Sequence, residues 1–227
     1  MQGTRLEQLA SLALSVCAIG MTGAVVHQEF FRSRAVSVRP SAALEYVKGW
    51  NSLVGSGRLV GDSAARVTVV EFMDLECPFC RQLNSTLQTL KKTYRTGVAY
   101  EFVHYPLPGH RFASIAARAA ECGAAAGRFT PIIDALYAQQ DSFGIRPWAA
   151  YAANAGISDT AAFSRCLKDS SPLPLVRAGL TAGQKIGVRG TPTVIVNGWR
   201  FSTPPSEAEL LDVVNDLLAG RKPRLAH

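Results

Sequence analysis

From residue 9 to residue 26 the chain reads LASLALSVCAIGMTGAVV, 18 positions without a charge. As a helix this run is about 27 Å long, enough to cross a bilayer core. It fits a secretory signal peptide with Thr22-Gly23-Ala24 as the small-residue cleavage site, or an uncleaved anchor, which its length favours. Arg5 is offset by Glu7 while Arg32, Arg34 and Arg39 follow the run, so flanking charge does not itself argue for export. Cys17, inside the run, reads as a small apolar residue, with lipidation as the alternative. Residues 28–60 read as a linker, with a short helix over 42–50 broken at Gly55-Ser56-Gly57.

Beyond residue 61 the pattern becomes that of a folded domain. Residues 67–72 (VTVVEF) are β-branched and apolar at nearly every position, as in a strand buried on both faces, and residues 98–103 form a second core strand. Between them Leu83, Leu87, Leu90 and Tyr94 recur at helical spacing. Helices are predicted over 113–126, from 129 with Thr130 as N-cap and Pro131 in the first turn, and over 146–155, 159–168 and 173–186. Thr193-Val194-Ile195-Val196 is a strand, and Asn197-Gly198 favours a tight hairpin into Trp199-Arg200-Phe201. Ser206 and Glu209 make a capping box for a last apolar-faced helix that Gly220 ends. The fold class is α/β: a mixed sheet with flanking helices and an inserted helical subdomain, preceded by one hydrophobic helix.

Composition narrows the classes. Of 227 residues, 18% are charged, which disfavours long disordered stretches. The net charge of +7 comes without a basic stripe interleaved with aromatics, so nucleic acid is not an expected partner. The densest basic cluster, Arg221-Lys222-Pro223-Arg224, reads as part of a solvated tail over 221–227.

The chemistry sits at Cys77-Pro78-Phe79-Cys80, between the first strand and the first helix. Pro78 suits the first helical turn, where its missing N–H would have had no partner. Cys77 then stands at the helix N-terminus, where free amides and the macrodipole favour a thiolate. Cys80, three residues on, shares its face within disulfide reach. Cys77 is the expected nucleophile and Cys80 the resolving thiol. Half of a zinc site is the competing reading, but Cys122, Cys166, His104 and His110 are scattered and supply no second ligand pair. No metal and no cofactor are expected.

Far along the chain, Gly190-Thr191-Pro192 stands directly before a strand. Together the two segments resemble the thioredoxin superfamily, and most closely its DsbA-like branch, whose members carry patterns similar to residues 69–80 and 190–192. The helical stretch from His110 through Cys122 to Phe129 looks like the insertion of that branch, here about 106–187 within a domain spanning 61–220. The resemblance implies that Pro192 is cis and that Thr191 offers its backbone to an extended substrate, with Pro78 and Phe79 lining the same surface. It also implies that Glu71 is a buried acid beneath Cys80, its pKa raised so that it takes the resolving thiol's proton; the residues alone equally allow a strand-edge acid facing water. Asp74 and Glu76 read as solvated loop charges, with Glu76 mildly opposing ionisation of Cys77, and His104 and His110 read as structural or exposed. With Cys77 and Cys80 reserved for exchange, Cys122 and Cys166 remain, either as a structural disulfide like those of some relatives or as two buried free thiols.

The resemblance implies a thiol–disulfide oxidoreductase acting on cysteine-containing exported proteins through a mixed disulfide at Cys77. It would be periplasmic or otherwise extracytoplasmic, anchored by residues 9–26 and recycled by a membrane redox partner. Disulfide formation is the favoured direction, because a stabilised Cys77 thiolate makes the disulfide oxidising. Reduction or isomerisation on the same fold is the alternative, as is a non-catalytic metal- or protein-binding module.

Overall fold

The computed structural model describes residues 42–225; the apolar run at 9–26 lies outside the described residues. Six strands form one sheet in the order β1-β6-β5-β3-β4-β2, comprising β1 (Leu44–Tyr46), β2 (Arg58–Val60), β3 (Val67–Met73), β4 (Val98–His104), β5 (Thr193–Val196) and β6 (Trp199–Phe201). β3 and β4 run parallel through the crossover helix α1 (Pro78–Thr93), and every other pair is antiparallel. Between β4 and β5 the chain inserts five helices: α2 (Ala113–Ala125), α3 (Phe129–Ala138), α4 (Trp148–Asn154), α5 (Thr160–Lys168) and α6 (Pro174–Lys185). The capping box at Ser206 and Glu209 opens α7 (Glu207–Leu218).

The continuous apolar run of β3 follows from its position: β4 and β5 flank it, and helices cover both faces. Successive side chains of a strand point to opposite faces. Val67, Val69 and Met73 therefore join the larger core with Leu83, Leu87 and Leu90 of α1 and Leu210, Val213 and Val214 of α7. Val70 and Phe72 join the smaller core with Val103, Val188 and Ile195, against which Ala182 and Ile186 pack. Glu71 has the parity of Val69 and Met73, so it faces α1. On the opposite face α6 approaches so closely that a Cβ at Gly179 would stand 2.3 Å from the His104 carbonyl oxygen. Asn197 (φ 43°) and Gly198 (φ 90°) form the hairpin turn, a conformation that favours these two residue types.

Three stretches of the backbone fold otherwise than their local patterns suggest. Residues 42–60 are not a linker with a helix at 42–50: β1 pairs with β6, a short 3-10 turn covers Trp50–Leu53, and β2 pairs with β4. Pairing with an available sheet edge outweighs the helical preference of Ala42-Ala43-Leu44. Thr130 is not the N-cap of α3. Gly127 (φ 69°) closes α2 with Arg128 N–H donating to the Gly123 carbonyl at 2.8 Å, and α3 begins at once with Arg128 as its cap. The basic tail is not merely solvated: Asp216, fully buried, accepts from the Arg221 side chain and from the Arg224 amide and guanidinium, wrapping the chain against α7. Among the described residues no helix is long and apolar enough to cross a membrane.

Candidate functional site

At the C-terminal end of β3 the chain turns sharply, Cys77 N–H donating to the Asp74 carbonyl at 3.1 Å, and enters α1. Cys77 is the N-cap in extended geometry and Pro78 opens the first turn. Both cysteines are free thiols; Cys77 is 4% exposed and Cys80 fully buried, while Phe79 between them is 61% exposed. The turn before β5 comes to the same place: the Thr191–Pro192 peptide is cis, and the Thr191 carbonyl accepts from Cys77 Sγ at 3.2 Å.

The two thiols have opposite acidities. Cys77 is lowered from 9.0 to about 5, chiefly by the hydrogen bond from the Cys80 thiol. Burial opposes this, and the Cys80 and Phe79 amides and the Thr191 side chain add to it. Cys80 is raised well above 9.0, mainly by burial, then by its bond to Cys77 and by the charge of Glu71. Glu71 is 2% exposed, and its Oε1 is buried without a hydrogen-bond partner. Burial raises it from 4.5 to about 8, with Lys91 pulling it down and Cys77 pushing it up. The site therefore holds a thiolate at its mouth, a protonated thiol behind it and a protonated acid beneath.

Asp74 and Glu76 are not solvated loop charges. The Asp74 carboxylate is completely buried and accepts from the Glu76 amide, the Leu107 amide and His110 Nδ1, each at 2.8 Å, while its own amide donates to Cys80 Sγ at 3.5 Å. The Glu76 carboxylate accepts from the Phe112 amide at the start of α2. Unsatisfied backbone amides of the loop at 107–112 need acceptors, and the turn before Cys77 supplies them. His104 is buried and shares Glu121 with Arg58, away from the thiols.

Gln140 escaped the sequence reading. Its side-chain amide, in the short turn after α3, donates to the Leu75 carbonyl at 2.8 Å and to the Cys77 carbonyl at 3.0 Å. Gln139-Gln140 carries no local pattern that marks a ligand of distant backbone, so only the fold reveals it. Cys122 of α2 and Cys166 of α5 are joined in a disulfide with Cα atoms 5.9 Å apart. Among the described residues no group of His, Cys, Asp and Glu is placed to hold a metal ion.

A reduced Cys-x-x-Cys at a helix mouth, set against a cis-proline turn on a mixed sheet, is the constellation of a dithiol–disulfide exchange site. A family model described as Thioredoxin matches residues 54–216. Among solved structures, DsbA2 of Pseudomonas aeruginosa is 29% identical, with a TM-score of 0.57 over 71% of this chain and 93% of that one. A thioredoxin-like oxidoreductase from Silicibacter pomeroyi is 25% identical, with a TM-score of 0.63 over 73% and 95%. The Na(+)/H(+) antiporter NhaA 3 of Salinispora tropica is 37% identical over 145 residues, 63% of this chain and 22% of the antiporter. The chain spans about a quarter of the length of such curated relatives. It belongs to the thioredoxin family.

Proposed function

We propose that this protein is an exported dithiol oxidase that introduces disulfides into cysteine-containing proteins. The observation that carries the proposal is the asymmetry of the two thiols, with Cys77 lowered to about 5 and Cys80 raised well above 9.0. Such an arrangement stabilises the reduced protein, so its disulfide is a strong oxidant and Cys77 a good leaving group.

The exchange runs in two balanced steps. A substrate thiolate attacks Cys77 Sγ of the oxidised protein, forming the mixed disulfide and breaking the Cys77–Cys80 bond. Cys80 departs as a thiolate and takes the proton held by Glu71, which is mostly protonated at pH 7. A second substrate thiolate attacks its partner sulfur, and Cys77 leaves as the thiolate. Two substrate thiols are oxidised and one enzyme disulfide is reduced. Thr191 and Pro192 present backbone to an extended substrate beside Cys77, and the exposed Phe79 ring with Pro78 offers apolar contact. The Cys122–Cys166 bond is a structural brace, in keeping with an oxidising compartment. Residues 9–26 serve as the membrane anchor or export signal, and a membrane redox partner removes the electrons.

The test is the Cys77–Cys80 reduction potential, with oxidation of a reduced, unfolded substrate measured alongside insulin reduction. A potential far above the roughly −270 mV of thioredoxin, with faster oxidation than reduction, is expected. A thioredoxin-like potential would make the protein a reductase. Stoichiometric copper or zinc at the dithiol without exchange activity would make it a metal-binding module. Fractionation of cells making the full chain checks the membrane attachment.

A further inference from the structure

The two residues between the cysteines, Pro78 and Phe79, carry no charge, so the dipeptide itself brings no cation to the Cys77 thiolate. A titrating cation that interacts with Cys77 comes from elsewhere. His110 stands in the loop after β4, fixed by its amide donating to the Leu107 carbonyl at 3.0 Å and by Nδ1–H donating to Asp74 Oδ2 at 2.8 Å. Asp74 in turn touches both cysteines through its backbone: its carbonyl accepts from the Cys77 amide and its amide donates to Cys80 Sγ. The charged groups that face His110 are Asp74 and Glu76 from the turn before α1, and Cys77 at its mouth. Glu76 is already committed to the Phe112 amide.

The consequence lies in the charge of the pair. A buried carboxylate beside Cys77 would by itself oppose ionisation of that thiol. With His110 protonated, the Asp74–His110 pair is neutral as a whole. With His110 neutral, the Asp74 charge stands uncompensated next to the thiolate.

Taking the exchange function proposed above as its ground, we propose that His110 is a positioning residue for that reaction: held by Asp74, its imidazolium supports the Cys77 thiolate of the reduced protein and withdraws that support on losing its proton. Burial alone would lower the His110 pKa, but the Asp74 bond and charge, with Cys77 and Glu76, raise it above 6.5. The supporting window therefore opens above about 5, where Cys77 ionises, and closes as pH rises through the His110 pKa. Within that window the His110 contribution to the reduced form is largest, and it fades on the basic side as the imidazolium is lost.

Linkage is reciprocal, so the test is read in the wild-type protein: if His110 stabilises the thiolate, the thiolate must stabilise protonated His110 by the same factor. The His110 ring is titrated by NMR in the wild-type protein held fully oxidised and fully reduced at Cys77–Cys80, with His110→Gln identifying its signal by loss. The expected result is a proton bound about threefold to tenfold more tightly in the reduced protein. The same factor should appear as an extra pH-dependent step in the reduction potential, absent in His110→Gln, whereas His110→Lys should restore the support without the step, because an ammonium stays charged through this range. Identical His110 titration in the two redox states would overturn the proposal. Because redox state is set chemically, that outcome is independent of whether the protein oxidises any substrate, which the activity assays decide.

Discussion

Cys77 Sγ lies 3.2 Å from the carbonyl oxygen of Thr191, a residue 114 positions later in the chain. Only the thiol can donate this bond, so it is lost when Cys77 ionises. The Cys80 thiol chiefly, with the Cys80 and Phe79 amides and the Thr191 side chain, then stabilises the sulfur against the cost of burial and brings Cys77 to about 5. The carbonyl that the thiolate releases is left free for another donor at the surface where a substrate backbone would pair.

This asymmetry predicts that the reduced protein is the more stable form. A thiol lowered from 9.0 to about 5 stabilises the reduced fold above the lower value, whereas a disulfide does not titrate. At pH 7 half of the four-unit span is realised, about 100-fold, on the order of 3 kcal/mol or roughly 60 mV of potential. The raised pKa of Cys80 adds nothing there, since that thiol is protonated in the folded and unfolded chain alike. Denaturant melts with Cys122–Cys166 intact should show an advantage for the reduced form that grows toward pH 9 and vanishes by pH 5. An advantage that does not change with pH would place the stabilisation somewhere other than the thiolate.

Glu71→Gln should stabilise the protein at neutral pH. The folded value of about 8 stands above the ordinary 4.5, so the folded state increasingly resists ionisation as pH rises between them. At pH 7 that penalty is on the order of 3 kcal/mol, reduced by whatever attraction Lys91 loses with the substitution. The gain should vanish below pH 4.5, where the carboxyl is protonated in both states. Exchange should slow at the same time, because the leaving Cys80 loses its proton source; unchanged single-turnover rates would remove Glu71 from the chemistry.

Gln140→Leu should loosen the active-site turn without emptying a core position. The amide that joins the Leu75 and Cys77 carbonyls is lost, and two buried acceptors are weakened, for a cost of about 1–3 kcal/mol. Cys77 keeps its bond from the Arg81 amide, so α1 should still form. Faster hydrogen exchange at residues 75–81, with the melting temperature only modestly lower, is the expected signature.

These cases separate what the chain announces from what only folding assembles. Cys77-Pro78-Phe79-Cys80 is one contiguous stretch, and the local rules of helix starts place Cys77 and Pro78 at the opening of α1. The parity of Glu71 with Val69 and Met73 is likewise implicit in a strand, although its burial depends on α1 packing over that face. Asp74 and Glu76 could not be read in this way. A carboxylate looks solvated until one knows that the loop carrying Leu107, His110 and Phe112 brings two donors to Asp74 and one to Glu76. The outer strands at 44–46 and 58–60 are three residues each and carry no periodic signal; they exist because β6 and β4 offer edges. Arg221 and Arg224 looked like a free tail for the same reason, since Asp216 becomes a buried charge in need of partners only once α7 has docked.

The last prediction concerns the brace between α2 and α5. Cys122 and Cys166 are 44 positions apart, so their bond removes chain freedom from the unfolded state equivalent to about 4 kcal/mol in the loop-entropy model. The double substitution to Ala should cost close to that amount. It should also leave the Cys77 thiolate titration in place, because no group of this pair contributes to the acidity of Cys77. Reduction with Cys77 and Cys80 blocked should reproduce the loss without any substitution. A double variant with wild-type stability would mean that apolar packing, with Ala119 and Ala120 of α2 and Phe163 of α5 in one core, suffices without the bond, and a changed Cys77 titration would mean that the insertion and the exchange site are coupled.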